Sequence, residues 1–160
     1  MRSVTKLLKQ LKPAGFDNLV VLSALHRPGP IKNGLVEEYI ARLNGNKRIQ
    51  YHHPALKPIL KETFGLILYD EQIMRIVIDL AGFPEGHANR LLSVIRCHLE
   101  PEINFYRKLF LDGVQYNGID SKTGNKMFDE IVNQREYTFA KSQSVAWAKL
   151  VYQSAYLKAN

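Results

Sequence analysis

Apolar residues recur at helical spacing along nearly the whole chain, and no other feature constrains the fold as much. Val4, Leu7, Leu8 and Leu11 fall at i, i+3, i+4 and i+7, while Lys6, Lys9 and Lys12 take the remaining face. Pro13 is expected to stop that helix. A second apolar run, Phe16 to Leu25, leads into Arg27-Pro-Gly-Pro30, which reads as a stiff loop. Leu35, Val36, Tyr39, Ile40 and Leu43 form the next stripe, supported by Glu38 and Arg42 at i, i+4 and ended by Asn44-Gly45. Residues 45–53 are polar and read as a loop. Pro54 and Pro101 sit where a first helical turn accepts proline. Ile73, Ile76, Val77 and Leu80 predict a helix closed by Gly82, and more helices are expected near 86–98, 101–116, 121–134 and 142–158. For Phe64 to Tyr69, a short strand and a buried helix start both stay open, because the run is too short for periodicity to separate them. No alternating segment is long enough for a sheet core. The expectation is an irregular all-α fold of about eight helices, forming one helical domain over residues 1–160.

A chain of 160 residues can bury roughly 70% of its unfolded surface, so a proper core is within reach. With 46% hydrophobic and 23% charged residues, wholesale disorder is excluded. The single cysteine, Cys97, excludes an intramolecular disulfide and a multi-thiolate zinc site and fits a reducing compartment, so a cytoplasmic location is expected. No apolar run approaches the ~18 to 20 residues that span a bilayer, and lysines interrupt the first twelve residues too often for a secretory core. Membrane is therefore not expected as a partner.

The net charge of +7 is unevenly placed. Residues 1–63 hold eleven Lys/Arg against four Asp/Glu, and residues 64–160 hold eleven of each. A basic portion beside a neutral one points to a polyanion, most commonly nucleic acid, against the plainer role of solvating helices. Lys6, Lys9, Lys12, Arg27, Lys47 and Arg48 are the candidate DNA-binding residues.

Most catalytic motifs are missing. There is no Gly-rich phosphate loop, no His-Glu-x-x-His and no Asp-x-Asp pair. His87, Cys97 and His98 lack the spacing and second thiolate of a zinc site, so no metal ligands are assigned. Asp70-Glu71 opens a helix, where carboxylates suit the positive end of the dipole. Cys97 has no evident base and reads as a half-buried thiol. Trp147, Tyr152 and Tyr156, at helical spacing, read as core. A base-stacking role would require them to sit beside exposed basic residues.

Residues 16–30, Phe-Asp-Asn-Leu-Val-Val-Leu-Ser-Ala-Leu-His-Arg-Pro-Gly-Pro, resemble a segment of the bacterial family C replicative DNA polymerases, the DNA polymerase III alpha subunits. The likeness runs through Tyr39-Ile40 and Tyr51 to Pro54. It peaks at Glu62-Thr-Phe-Gly-Leu-Ile-Leu-Tyr-Asp-Glu-Gln-Ile-Met74 and resumes at Leu80-Ala-Gly-Phe83, Asn117-Gly-Ile119 and Phe139 to Lys158. In that family the stretch is the helical fingers domain, which closes over the incoming nucleotide and the templating base. The resemblance implies DNA as a partner and, in a complete polymerase, Mg2+ held by palm carboxylates. Those carboxylates lie upstream of the matching stretch, so it implies no catalytic residue and no cofactor in this chain.

Two departures bear on the nucleotide. Where the family reads Leu-Arg-Arg-Ala-Met-Gly-Lys-Lys, this chain has Leu91-Leu92-Ser93-Val94-Ile95-Arg96-Cys97-His98, so the paired arginines become Leu92 and Ser93 and the lysines Cys97 and His98. The family's Phe-Asn-Lys-Ser-His-Ser becomes Phe139-Ala-Lys-Ser-Gln-Ser144. What survives is a degenerate nucleotide-binding set, Arg90, Arg96, Lys141 and Ser142. Losing several charge-assisted hydrogen bonds, each worth roughly 1.5 to 3 kcal/mol, implies that nucleotide binding in the family's manner is weak or absent. Two readings stay open. One is a fingers segment, excised or acting with a palm-containing chain, that binds DNA and does not polymerise alone. The other is a free-standing, degenerate paralogue that binds DNA or protein.

Overall fold

The computed structural model describes residues 2–12, 15–134 and 137–159, with the backbone alone at residues 2 and 3. Among these residues no strand forms, and ten α-helices follow one another: α1 (Arg2–Leu11), α2 (Phe16–Leu25), α3 (Pro28–Lys32), α4 (Leu35–Leu43), α5 (Lys57–Leu60), α6 (Asp70–Ala81), α7 (Glu85–Arg96), α8 (Glu100–Tyr116), α9 (Ser121–Asn133) and α10 (Lys141–Ala159). The fold is all-α. The expected stop at Pro13 lies outside the described residues. Two compact units form, one from Met1–Arg48 with Phe139–Asn160 and the other from Ile49–Thr138.

In the first unit, α1 buries Leu7 and Leu11 and turns Lys6 and Lys9 to solvent, as the spacing requires. The stiff loop expected at Arg27-Pro-Gly-Pro30 is instead the start of α3. Arg27 is extended (φ −135°, ψ 154°), the conformation proline imposes on its predecessor, and Pro28 then supplies a φ ready for a first helical turn. Gly34 (φ 78°) turns the chain into α4, which buries Leu35, Val36 and Tyr39. Helix α10 packs on α2 through Ser144 and Ala148, small residues at i, i+4 that let the two backbones approach. The expectation that Trp147, Tyr152 and Tyr156 are core is overturned. They are 62%, 56% and 63% exposed, because within this unit α10 meets α2 along one narrow side only.

The second unit carries the larger core. Ile73, Ile76, Val77 and Leu80 on α6 pack with Leu91, Leu92 and Ile95 on α7, Ile103, Phe110 and Val114 on α8, and Phe128 and Ile131 on α9. Ahead of α6, residues 54–63 form two short 3-10 turns around α5. Residues 64–68 are then neither helix nor strand. Buried side chains satisfy their backbone. Gln72 Oε1 accepts from the Leu68 and Tyr69 amides (2.8 and 3.0 Å), and Gln72 Nε2 donates to the Thr63 hydroxyl (2.8 Å), which donates onward to Leu66 O (2.5 Å). Unpaired, those amides would each cost about 1 to 3 kcal/mol, so Gln72 fixes an otherwise ladderless segment. Asp70-Glu71 opens α6 as expected. Gly82 closes it in the left-handed conformation (φ 71°), its amide bonded to Ile78 O at 3.0 Å.

Candidate functional site

Grouped by unit, the charge separates more sharply than it does along the sequence. The first unit holds twelve Lys/Arg against three Asp/Glu, net +9, and the second holds ten against twelve, net −2. All six candidate DNA-binding residues fall in the first. Lys6 and Lys9 line the exposed side of α1, opposite Leu7 and Leu11, and Lys12 follows with a left-handed backbone (φ 42°). Arg48 is exposed. Lys47 is exposed as well, but its ammonium lies 2.6 Å from Glu38 Oε2, while Arg42 holds Glu38 Oε1 at 2.8 Å. Arg27 is turned inward: its Nε donates to Ala24 O (3.0 Å) and its guanidinium lies 4.6 Å from the Phe139 ring centre. Sequence reasoning missed Lys149 and Lys158, which join the cationic unit on a helix with no acidic residue.

Glu38 is the local counterweight to that charge. The bond from Lys47 lowers its pKa most, partial burial opposes the shift, and Arg42 lowers it further. A depressed carboxylate stabilises the fold above its unfolded value of about 4.3, and that contribution is lost as pH falls through the lower folded value. Glu38→Gln removes the acid that Lys47 and Arg42 share. If this face meets phosphate, the variant binds DNA severalfold more tightly at low salt, with a salt dependence steeper by up to about two phosphate equivalents; fluorescence anisotropy against salt reads both.

The degenerate nucleotide set is divided between the units. On α7, Asn89, Arg90, Ser93, Arg96 and Cys97 are exposed on one side, and Ala88, Leu91, Leu92 and Ile95 face the core. Leu92 is only 8% exposed. Arg90 pairs with Glu102 at 2.8 Å and Arg96 with the Asp70 carboxylate, so both guanidiniums already hold anions. Lys141 and Ser142 open α10 in the first unit, Lys141 half-buried and Ser142 exposed. Cys97, expected half-buried, is exposed, since it caps α7 beyond the last core position. No group of three or more His, Cys, Asp or Glu among the described residues is placed to hold a metal ion. No described helix is long and apolar enough to cross a membrane.

Two helical units that carry the motifs Arg27-Pro-Gly-Pro30, Thr63-Phe-Gly65 and Glu71-Gln-Ile-Met74 in order define a polymerase fingers module. Residues 1–118 match the bacterial DNA polymerase III alpha subunit finger domain, and the chain belongs to that family. The DNA polymerase III subunit alpha of Aquifex aeolicus (strain VF5) is 39% identical over 159 residues, 99% of this chain and 14% of that protein. The corresponding subunits of Haemophilus influenzae (strain Rd) and Escherichia coli (strain K12) are 38% and 37% identical, over 98% and 99% of this chain and 14% of each protein. The chain thus spans about one seventh of the length of these relatives.

Proposed function

We propose that this chain is a DNA-binding fingers segment that grips the phosphate backbone without reading sequence and does not polymerise alone, working in the cytoplasm. The segregation of charge carries the reading: +9 on one unit and −2 on the other. Scattered solvating lysines would not need to gather on one of two packed bodies, whereas a polyanion partner rewards that arrangement. DNA is the partner that the family supplies. The palm carboxylates that the resemblance places upstream are outside the matched stretch, so the primer hydroxyl and the leaving group would have no metal to stabilise them.

Two measurements on one preparation test this. Labelled duplexes of unrelated sequence should bind with equal affinity, micromolar or weaker at physiological salt, and log K should fall linearly with log salt. Primed template with Mg2+ and all four nucleotides should show no extension. Extension that copurifies with the protein overturns the non-catalytic reading, and salt-independent binding overturns the electrostatic one. The second reading, a free-standing paralogue that binds without polymerising, is favoured by α7, where a core leucine stands in place of a phosphate-facing arginine. A reading frame for a palm-containing chain beside this gene would favour a split enzyme instead.

A further inference from the structure

We propose that one flank of α10, built from Lys149, Tyr152 and Tyr156, stacks the unpaired bases of single-stranded DNA. The proposal rests on the DNA-binding reading and adds a chemical class to it: bases offered singly, with their faces free. At 100° per residue, Lys141, Val145, Lys149, Tyr152 and Tyr156 fall within one sector of about 80°, beside the Ser144–Ala148 seam that packs on α2. Tyr152 and Tyr156 are 56% and 63% exposed, one turn and about 6 Å apart along the helix. The Phe16 ring meets Tyr152 edge-on, with centroids 6.4 Å apart and planes at 83°, so Tyr152 is steadied from α2 while remaining more than half open. Tyr152, Gln153, Tyr156 and Leu157 lie along an open side of α10, so a planar ring can reach both tyrosines from solvent.

What this flank accepts is decided by charge. Helix α10 has three lysines and no carboxylate, and its unit carries +9, so the complementary occupant is a polyanion. Duplex DNA hides its base faces within the stack. A single strand presents them, and an aromatic ring beside a lysine can then hold base and phosphate together. Tyrosine suits the place, since it offers a large, flat apolar face at low conformational cost.

The test uses the full 160-residue chain and three labelled probes: an oligothymidine, an oligomer of equal length made only of abasic sites, and a duplex with the same number of phosphates. Oligothymidine should bind at least tenfold more tightly than the abasic oligomer, since a stacked base is worth about five-fold to a hundred-fold per ring. Tyr152→Ala with Tyr156→Ala should bring oligothymidine down to the abasic level and leave abasic binding unchanged, while the paired Tyr→Phe variants keep the preference. Leu150→Ala, which removes a similarly exposed apolar side chain from the opposite side of α10, should keep it too. Equal binding of oligothymidine and the abasic oligomer overturns the stacking proposal and leaves the backbone-charge reading standing. Failure of all three probes to bind removes both. Self-association that the double alanine variant abolishes, with no base preference, overturns the proposal by giving this flank to a second copy of the chain.

Discussion

Gly113→Ala should lower the melting temperature by roughly 4 to 8 °C, against the rise that helix propensity alone predicts. Gly113 lies inside α8, where alanine is ordinarily better than glycine by about 1 kcal/mol. Here a β-carbon would run into the Ala81 carbonyl group, lying 2.8 Å from its carbon and 2.9 Å from the Ala81 Cα. Those are backbone atoms at the last turn of α6, which cannot rotate aside as a side chain would. Relief requires α6 and α8 to separate, opening the layer that holds Leu80, Phe110 and Val114. Overpacking of this kind costs about 3 kcal/mol or more, so it outweighs the propensity gain. Thermal unfolding followed by circular dichroism gives the sign directly. An unchanged or raised midpoint would show that the two helices can part without loss.

The second large effect separates two adjacent residues. The resemblance sets Leu92 and Ser93 against the family's paired arginines, yet the structure puts them in opposite environments: Leu92 in the α7 core face, Ser93 exposed. Leu92→Arg would drive a guanidinium into apolar packing and should cost several kcal/mol. Ser93→Arg changes a side chain in water and should stay within about 0.5 kcal/mol of the parent. Restoring both arginines would therefore damage the fold before it could restore a phosphate clamp. Melting and triphosphate titration of the two single variants check this. A Leu92→Arg protein that keeps its midpoint and gains triphosphate affinity would mean that α7 can turn this face outward.

Much of the fold was legible because helical periodicity is a local signal. The stripes of α1, α4 and α6 and the glycine after Ala81 could be read directly from residue spacing. Proline misled at α3, since Arg27-Pro-Gly-Pro30 breaks a helix when read forward and begins one when Pro28 takes the first position. Residues 64–68 were ambiguous because a side chain nine positions downstream of Thr63, Gln72, satisfies their backbone. Periodicity marks which side of a helix is apolar, not what covers it. The rings of α10 therefore read as core when their unit leaves them exposed. The exposed basic side of α1 was legible, because Lys6 and Lys9 oppose Leu7 and Leu11. It was not legible at Arg27, whose guanidinium is spent on Ala24 O and the Phe139 ring. Nor does linear sequence reveal that residues 139–160 return to the first unit and add three lysines to it.

The direct measurement is the salt dependence of duplex binding by the parent chain and by the triple variant Lys6→Gln, Lys9→Gln and Lys12→Gln. These residues are exposed, so the fold should survive their neutralisation. If α1 lies against the phosphate backbone, the slope of log K against log salt shrinks by about two to three units, close to 0.9 for each phosphate no longer neutralised, and affinity at low salt falls at least tenfold. An unchanged slope in the triple variant, or no binding by the parent chain at low salt, contradicts DNA binding by the first unit.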